Sequence, residues 1–306
     1  MTETKFLIVG DLHGNKPKIH FKDFDAIIAP GDFCSDRYMR PIIKKWVVYN
    51  NKKTKMGEKL NYDFNKFIRS IGVNKKRLNE IHKKSGDDGR MVLAYLNSFN
   101  KPVFLVPGNW DVKIGLEKYK DIVDKYLKIY KEFSQPTDEK LINNLQNLHD
   151  CHLESHTFKN INIVGYGVSS FPDFPDQKNL TNNQFKKIKK GHERLIKLIE
   201  KAYFRRDKSN PTIFISHNVP YKTLDLVINK DSWANKEHYG SKTAREFCLR
   251  YKPLVCIGGH IHEHFGKIKL GKTIVINAGF GAKVNTLLTL KDGKIKSIKF
   301  YPKTYG

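Results

Sequence analysis

Cysteine is scarce in this chain. Four residues in 306, Cys34, Cys151, Cys248 and Cys256, lie far apart with no Cys-x-x-Cys pair. That spacing excludes a disulfide framework and a thiolate zinc finger. Long hydrophobic runs are missing as well. The first apolar stretch, Phe6-Leu-Ile-Val9, breaks at Gly10-Asp11, too short for a leader or a membrane span, and no later run exceeds a core strand. Acidic charge is in short supply: 31 Asp and Glu stand against 56 Lys and Arg, a net +25. Within that basic set arginine is the minority, 10 against 46 Lys. Readers of base edges rely on guanidinium forks, so this balance argues against sequence-specific nucleic-acid recognition. What remains is 39% hydrophobic and 12% aromatic, ample for one large core or two modest domains and incompatible with disorder or collagen. The expectation is a soluble, cytoplasmic protein.

The positive charge is clustered. Residues 39–98 carry a net +10 and residues 186–208 a net +7. Such clusters either steer an anionic substrate or nucleic acid, or form a solvated lysine-rich surface. No RGG, RNP-like or helix-turn-helix signature accompanies them, so the solvated surface is the simpler reading.

Several short apolar runs end in polar, glycine-containing turns: Lys5–Val9, Ala26–Pro30, Val103–Pro107, Ile161–Val164, Thr212–Ile215, Leu254–Ile257 and Thr273–Ile276. Being almost continuously apolar, they read as strands covered on both faces. Helical spacing links Phe64, Phe67, Ile68 and Ile71, then Leu116, Tyr119, Ile122, Val123, Tyr126 and Tyr130, and then Phe185, Ile188, Leu195 and Ile199. Asn285–Leu290 and Ile295–Tyr301 flank an Asp-Gly turn and read as a hairpin. Alternating strands and helices make the class α/β or α+β with two layers of sheet. One catalytic domain over residues 1–306 is expected, with a basic helical insertion at about residues 39–98.

Five of the apolar runs terminate in residues of one chemical kind: Gly10-Asp11-Leu-His13-Gly14, Gly31-Asp32, Gly108-Asn109-Trp110-Asp111, Ser216-His217-Asn218 and Gly258-Gly-His260-Ile-His262. Ligands in α/β sheets bind beyond the carboxyl ends of strands, so the five can converge. Their donors are carboxylate, amide oxygen and imidazole without thiolate, a set suited to Mn, Fe, Zn or Co. Seven ligands are too many for one tetrahedral ion and fit two ions that share a carboxylate. Any one of these turns alone is weak; five in order are not.

The ordered set GD-x-HG, GD, GN-x-D, H and GH-x-H resembles the calcineurin-like metallophosphoesterase superfamily, from about residue 5 to residue 300. Ile276-Asn277-Ala-Gly279 is similar to the strand and turn that close the family's site. The resemblance implies two mixed β-sheets packed as a sandwich with helices outside, four layers in the order αββα. It implies two divalent ions, manganese first, with iron, zinc, nickel or cobalt as alternatives. Asp11, His13 and His262 would hold one ion, Asn109, His217 and His260 the other, and Asp32 would bridge. The implied activity is hydrolysis of a phosphodiester or phosphomonoester by a metal-activated hydroxide. No Ser or Cys nucleophile is needed, and Cys34 reads as a packed small side chain.

Two features depart from the family pattern. Trp110 stands where many relatives carry a His that protonates the leaving group, and indole offers only an N–H. It either stacks on a flat leaving group or packs over the site. Asp36-Arg37 lies one residue further from Asp32 than in the protein-phosphatase branch, leaving Arg37 open between a phosphate clamp and a surface ion pair. Asp111 is expected to orient Asn109 or the backbone after it. His238-Tyr-Gly-Ser241 is similar to a loop found near the metals in small relatives, although Ser241 equally suits a helix N-cap. With Asn109, the residues Arg37, Trp110 and His238 form the candidate substrate contacts. Another acid could stand in for the missing one, with His238 and His264 as candidates; His264 otherwise reads as a surface histidine or as a partner of the ligand His262. A diester is favoured, from the missing acid and the basic charge. The partner is a phosphoester, with nucleotide and nucleic acid both in range and no membrane. A nuclease whose basic segments track a phosphate backbone is the second expectation. A non-catalytic protein-binding scaffold is the third.

Overall fold

The computed structural model describes residues 3–55, 64–112, 137–174, 180–230 and 234–303, together with Leu127 and Ser232. Along the chain come β1 (Glu3–Ile8), β2 (Ala26–Ala29), α1 (Arg40–Lys55), α2 (Phe64–Ser70), α3 (Lys75–Asn97), β3 (Val103–Leu105), α4 (Glu139–Ile142), β4 (Leu148–Asp150) and β5 (Ser155–Phe158). Then follow β6 (Ile161–Tyr166), α5 (Asn182–Phe204), β7 (Thr212–Asn218), α6 (Lys242–Tyr251), β8 (Val255–Gly259), β9 (Gly266–Leu270), β10 (Thr273–Asn277), β11 (Asn285–Lys291) and β12 (Lys294–Tyr301).

The strands form two six-stranded sheets, ordered β12-β11-β1-β2-β3-β4 and β5-β6-β7-β8-β10-β9. Both are mixed. β1 through β4 run parallel, and β11 and β12 extend that sheet antiparallel. β6, β7, β8 and β10 run parallel between antiparallel edges β5 and β9. The period-two geometry of a strand explains how continuous apolar runs build four layers. Phe6, Ile8, Ile28 and Phe104 point inward against Ile163, Ile213, Ile215 and Ile257 of the other sheet. Their neighbours Leu7, Ile27 and Leu105 point outward onto Val92, Leu93 and Leu96 of α3. On the far side Val164, Tyr166 and Phe214 pack on Ile188, Leu195 and Ile199 of α5 and Phe247 of α6. The result is the helix–sheet–sheet–helix sandwich expected from the sequence.

α5 begins at a reciprocal capping box: Thr181 accepts from the Gln184 N–H, and the Gln184 side chain accepts from the Thr181 N–H. The β11–β12 turn has Asp292 and Gly293 both at positive φ, 47° and 75°, the geometry of a two-residue hairpin turn. α1–α3 stand between β2 and β3 and carry a separate apolar cluster: Met39, Ile42, Phe67, Ile68 and Ile81, joined by Trp46 and Phe64. The periodicity from Leu116 to Tyr130 lies outside the described residues apart from Leu127. No described helix is long and apolar enough to cross a membrane.

Candidate metal centre

The five polar segments all sit at carboxyl ends of parallel strands: those of β1, β2 and β3 follow the strand, Ser216-His217-Asn218 forms the last residues of β7, and Gly258-Gly-His260-Ile-His262 runs on from the end of β8. Two tight groups result, Asp11 with His13 and His262, and Asp32 with His217 and His260. Within each, the donor atoms lie within 4.8 Å of one another. Asp32 joins them, since its Oδ2 is 3.5 Å from Nε2 of His13 and 3.5 Å from Nε2 of His217. Asn109 completes the second group, with its Oδ1 3.1 Å from Nε2 of His217. All seven residues singled out in the sequence are therefore brought to one place.

The backbone that presents them is strained. Asp11, His13, Asp32 and His260 have φ of 49°, 45°, 55° and 69°, the left-handed region that costs a non-glycine residue about 1–3 kcal/mol. Hydrogen bonds hold these turns in place. The Asp11 N–H donates to Gly31 O, at 3.0 Å, and the His13 N–H to Asp32 O, at 2.8 Å. Two glycines are required by close approach: a Cβ at Gly108 would run into the Asp32 carboxylate, and one at Gly259 into that of Asp11. Asp111 ties two ligand turns together. Its Oδ1 accepts from the N–H groups of Phe33 and Cys34, at 2.8 and 2.9 Å, and its Oδ2 from Gly108, at 2.8 Å. It thus holds the backbone before Asn109 and that after Asp32.

The protonation states suit metal ligands. Burial, helped by the charge of His262, lowers His13 to about 4. Burial and the neighbouring His217 lower His260 to about 3. His217 is also lowered by burial; its Nδ1 lies 2.8 Å from the Pro30 carbonyl and must donate to it, leaving the Nε2 lone pair turned into the site. His262 is the exception. Although burial opposes it, the Asp11 carboxylate, 3.7 Å away, raises its pKa. Burial and then the negative neighbours Asp111 and Asp11 push Asp32 well above the usual carboxylate range.

These residues fit a pair of divalent ions. The buried Asp11 Oδ1 has no hydrogen-bond partner in the protein. The His217 lone pair faces an amide oxygen at hydrogen-bond distance with no proton between them. The crowded carboxyls around Asp32 carry a negative potential that two cations would relieve.

A family model for calcineurin-like phosphoesterases matches residues 4–264. The chain belongs to that family. Among curated proteins it is 27% identical over 188 residues to an uncharacterized protein, MJ1162, of Methanocaldococcus jannaschii, a match spanning 60% of this chain and 66% of that one. One crystal structure superposes with a TM-score of 0.56 at 15% identity, covering 96% of this chain and 98% of its own. A dimetal phosphatase from Danio rerio aligns at TM-score 0.48 and 10% identity, over 94% of this chain and 93% of its own. TT1561 of Thermus thermophilus aligns at TM-score 0.46 and 13% identity, over 96% and 98%.

As a family member the chain is a calcineurin-like phosphoesterase. Trp110 is half-buried between the α1–α2 cluster and the α3 core, and its backbone N–H donates to Asp32 Oδ1 at 2.9 Å. Arg37 is 63% exposed at its side chain, and its Nη2 donates to Asp88 Oδ2 and to the Tyr38 hydroxyl, both at 2.8 Å. Of its two expected roles the structure contains the surface ion pair. Cys34 is buried and packs on Gly89 of α3, and burial raises its thiol far above its ordinary value, so it stays protonated and non-nucleophilic. Ser241 is the N-cap of α6, accepting from Ala244 N–H at 2.9 Å. His264 is half-buried with Nε2 on the Leu226 carbonyl at 2.7 Å. Asn277 donates to the carbonyls of Leu224 and Ile261, at 3.1 and 3.0 Å, and accepts from Gly279.

Sequence reasoning missed two partners. Asp36 lies 3.5 Å from Nδ1 of His13 and 2.5 Å from Arg40, the first residue of α1. An Asp four residues before an Arg at a helix start was the available signal. Asp225 is the buried partner of His238, 2.8 Å from its Nδ1, and its distance along the chain hid that pairing.

Proposed function

We propose that this protein is a dinuclear metal-dependent phosphoesterase. Asp11, His13 and His262 hold one ion, Asn109, His217 and His260 the other, and Asp32 is shared, with manganese the first choice of metal. The observation that supports it most is the position of Asp32 Oδ2, equally far from a histidine of each group. Bound ions would neutralise charge on the phosphoryl oxygens and lower the pKa of a water in the site. The chain's own residues do the positioning. Asp111 clamps the β2 and β3 turns, and Pro30 sets the His217 tautomer.

Phosphodiesters are favoured over monoesters. The dianionic monoester calls for an additional cation, whereas Arg37 is engaged with Asp88, and Trp110 supplies no proton. Trp110 walls the site on the α1–α3 side, and His238 is a substrate contact from the β7–α6 loop. The chain acts as one catalytic domain with α1–α3 inserted between β2 and β3. A cytoplasmic location accords with four buried, unpaired cysteines. The test is hydrolysis of bis-p-nitrophenyl phosphate beside p-nitrophenyl phosphate with added Mn²⁺, wild type against His217→Ala. Faster diester hydrolysis that the substitution abolishes is expected. Activity on neither ester together with failure to bind metal would overturn the reading in favour of a non-catalytic scaffold.

A nuclease is the second reading, and one feature favours it. Lys187, Lys190, Arg194, Lys197 and Lys201 line the exposed side of α5, opposite buried Ile188, Leu195 and Ile199. Such a row matches a phosphate backbone. It requires affinity for single- or double-stranded nucleic acid to fall steeply with salt, in proportion to the phosphates neutralised. A small-nucleotide enzyme requires little salt dependence.

A further inference from the structure

Breaking a phosphoester to an alcohol leaves charge on the departing oxygen, and a proton donor there typically contributes about 10²–10⁴-fold. The histidines of the two metal-binding groups are committed to the ions. Five histidine–carboxylate contacts can be compared. Four lie in or beside the metal cluster, His13 with Asp32 and Asp36, His217 with Asp32, and His262 with Asp11. The fifth stands apart: Nδ1 of His238 lies 2.8 Å from Oδ1 of Asp225.

That pair has the build of a positioned proton donor. Asp225 is fully buried. Its Oδ2 accepts from the N–H groups of Lys222 and Gly240, at 2.9 and 2.8 Å, and its Oδ1 also accepts from Thr223, at 2.9 Å. So many donors hold the carboxylate rigidly and keep it an acceptor, which obliges His238 Nδ1 to be the donor. Nε2 then faces outward on a side chain 37% exposed.

The fold ties this loop to the metal turns. It leaves β7 after Asn218, the residue next to His217, and the Asn218 side chain donates to the Tyr239 carbonyl at 2.8 Å. Asn277 bridges the Leu224 and Ile261 carbonyls, so the residue before Asp225 is fastened to the residue between His260 and His262. His264, two residues beyond His262, is bound to the Leu226 carbonyl.

Resting on the phosphoesterase reading, we propose that His238, oriented by Asp225, is the catalytic acid that protonates the leaving oxygen. As the phosphorus–oxygen bond breaks, its electron pair stays on the departing oxygen and the Nε2 proton of the imidazolium moves onto it. Water supplies the new phosphorus–oxygen bond, and a proton from solvent restores the imidazolium. The charged groups that face it are Asp225 and, flanking the Tyr221 ring that stands 6.0 Å from His238, Lys222 and Lys242. Glu237 adjoins it in sequence.

The test is a leaving-group comparison on the Mn²⁺-loaded enzyme, using bis-p-nitrophenyl phosphate and phenyl p-nitrophenyl phosphate with release of phenol followed. Phenol is the poorer leaving group and depends more on protonation. His238→Gln should lower kcat/KM for phenol release about 30-fold more than for the bis-p-nitrophenyl ester, with two bound metals retained. Added imidazole should restore phenol release to His238→Ala. Asp225→Asn should show the same selectivity if it folds. Equal losses on both esters, or no loss on either, would overturn the assignment while leaving the phosphoesterase standing. A wild type inactive on both esters would overturn the two together.

Discussion

The two halves of the metal centre use the same residue types and are held in different ways. The second, Asp32, His217, His260 and Asn109, is the more fixed. His217 is buried, donates to a backbone carbonyl and is neutral, and His260 stays neutral down to about 3. The first, Asp11, His13 and His262, opens outward. The His262 side chain is 29% exposed, and Asp11 favours its protonated form. In the first half a proton competes with a metal at His262; in the second the histidines stay neutral, and only the Asp32 carboxyl, shared by both ions, favours a proton. The difference teaches that burial and a backbone acceptor, more than ligand identity, set how firmly each ion is held.

The largest effect should come from the firmer half. His217→Ala is expected to lower kcat on any hydrolysed ester by more than about 10³-fold and to remove one metal, measured by rates and metal analysis. His262→Ala should lose less, about 10²-fold, with activity partly recovered at high Mn²⁺. Equal behaviour of the two variants would break the comparison. The pH dependence sharpens it. The His262 pKa is raised, so acidification adds a proton there first, and affinity for the weaker ion should fall about tenfold per pH unit below that pKa. Affinity for the tighter ion should fall less, because its histidines stay neutral and the Asp32 proton is common to both ions. Calorimetric Mn²⁺ titrations between pH 8 and pH 6 read both.

Asp111→Asn leaves at least one of the three N–H groups from the two turns facing an NH2 with no acceptor, and the rest on a neutral one. It should cost about 1.5–3 kcal/mol of stability, seen as a lower Tm, and weaken the second ion more than the first. The smallest effect belongs to Arg37, outside both halves. Arg37→Ala removes an exposed ion pair contributing about 0–1 kcal/mol and should leave KM within about threefold.

The ligands were legible in the sequence because each physical requirement leaves a mark at one place. A buried parallel strand needs an apolar run, its end needs a tight turn, and the ion needs Asp, Asn or His there. Gly108 and Gly259 stand in those same turns, but the carboxylates packed on them, of Asp32 and Asp11, come from other turns and only the fold shows the pairing. The two-layer class followed from runs such as Ala26–Ala29, buried throughout. Other parts left weaker marks. β4, β5 and β9 escaped notice because they are short or edge strands with polar members, Leu-His-Asp, Ser-His-Thr-Phe and Gly-Lys-Ile-Lys-Leu, and lack both a continuous apolar run and clean alternation. α4 is a single turn, too short for periodicity. The pairings of Asp36 with His13, and of Asp225 with His238, depend on tertiary placement and carry no fixed spacing.

The central claim is that Asp32 joins two ions in one site. Electron paramagnetic resonance of the protein titrated with Mn²⁺ tests it most directly. The account predicts two manganese ions per chain and an exchange-coupled signal that Asp32→Ala removes. A single ion per chain, or two with uncoupled spectra, would contradict it.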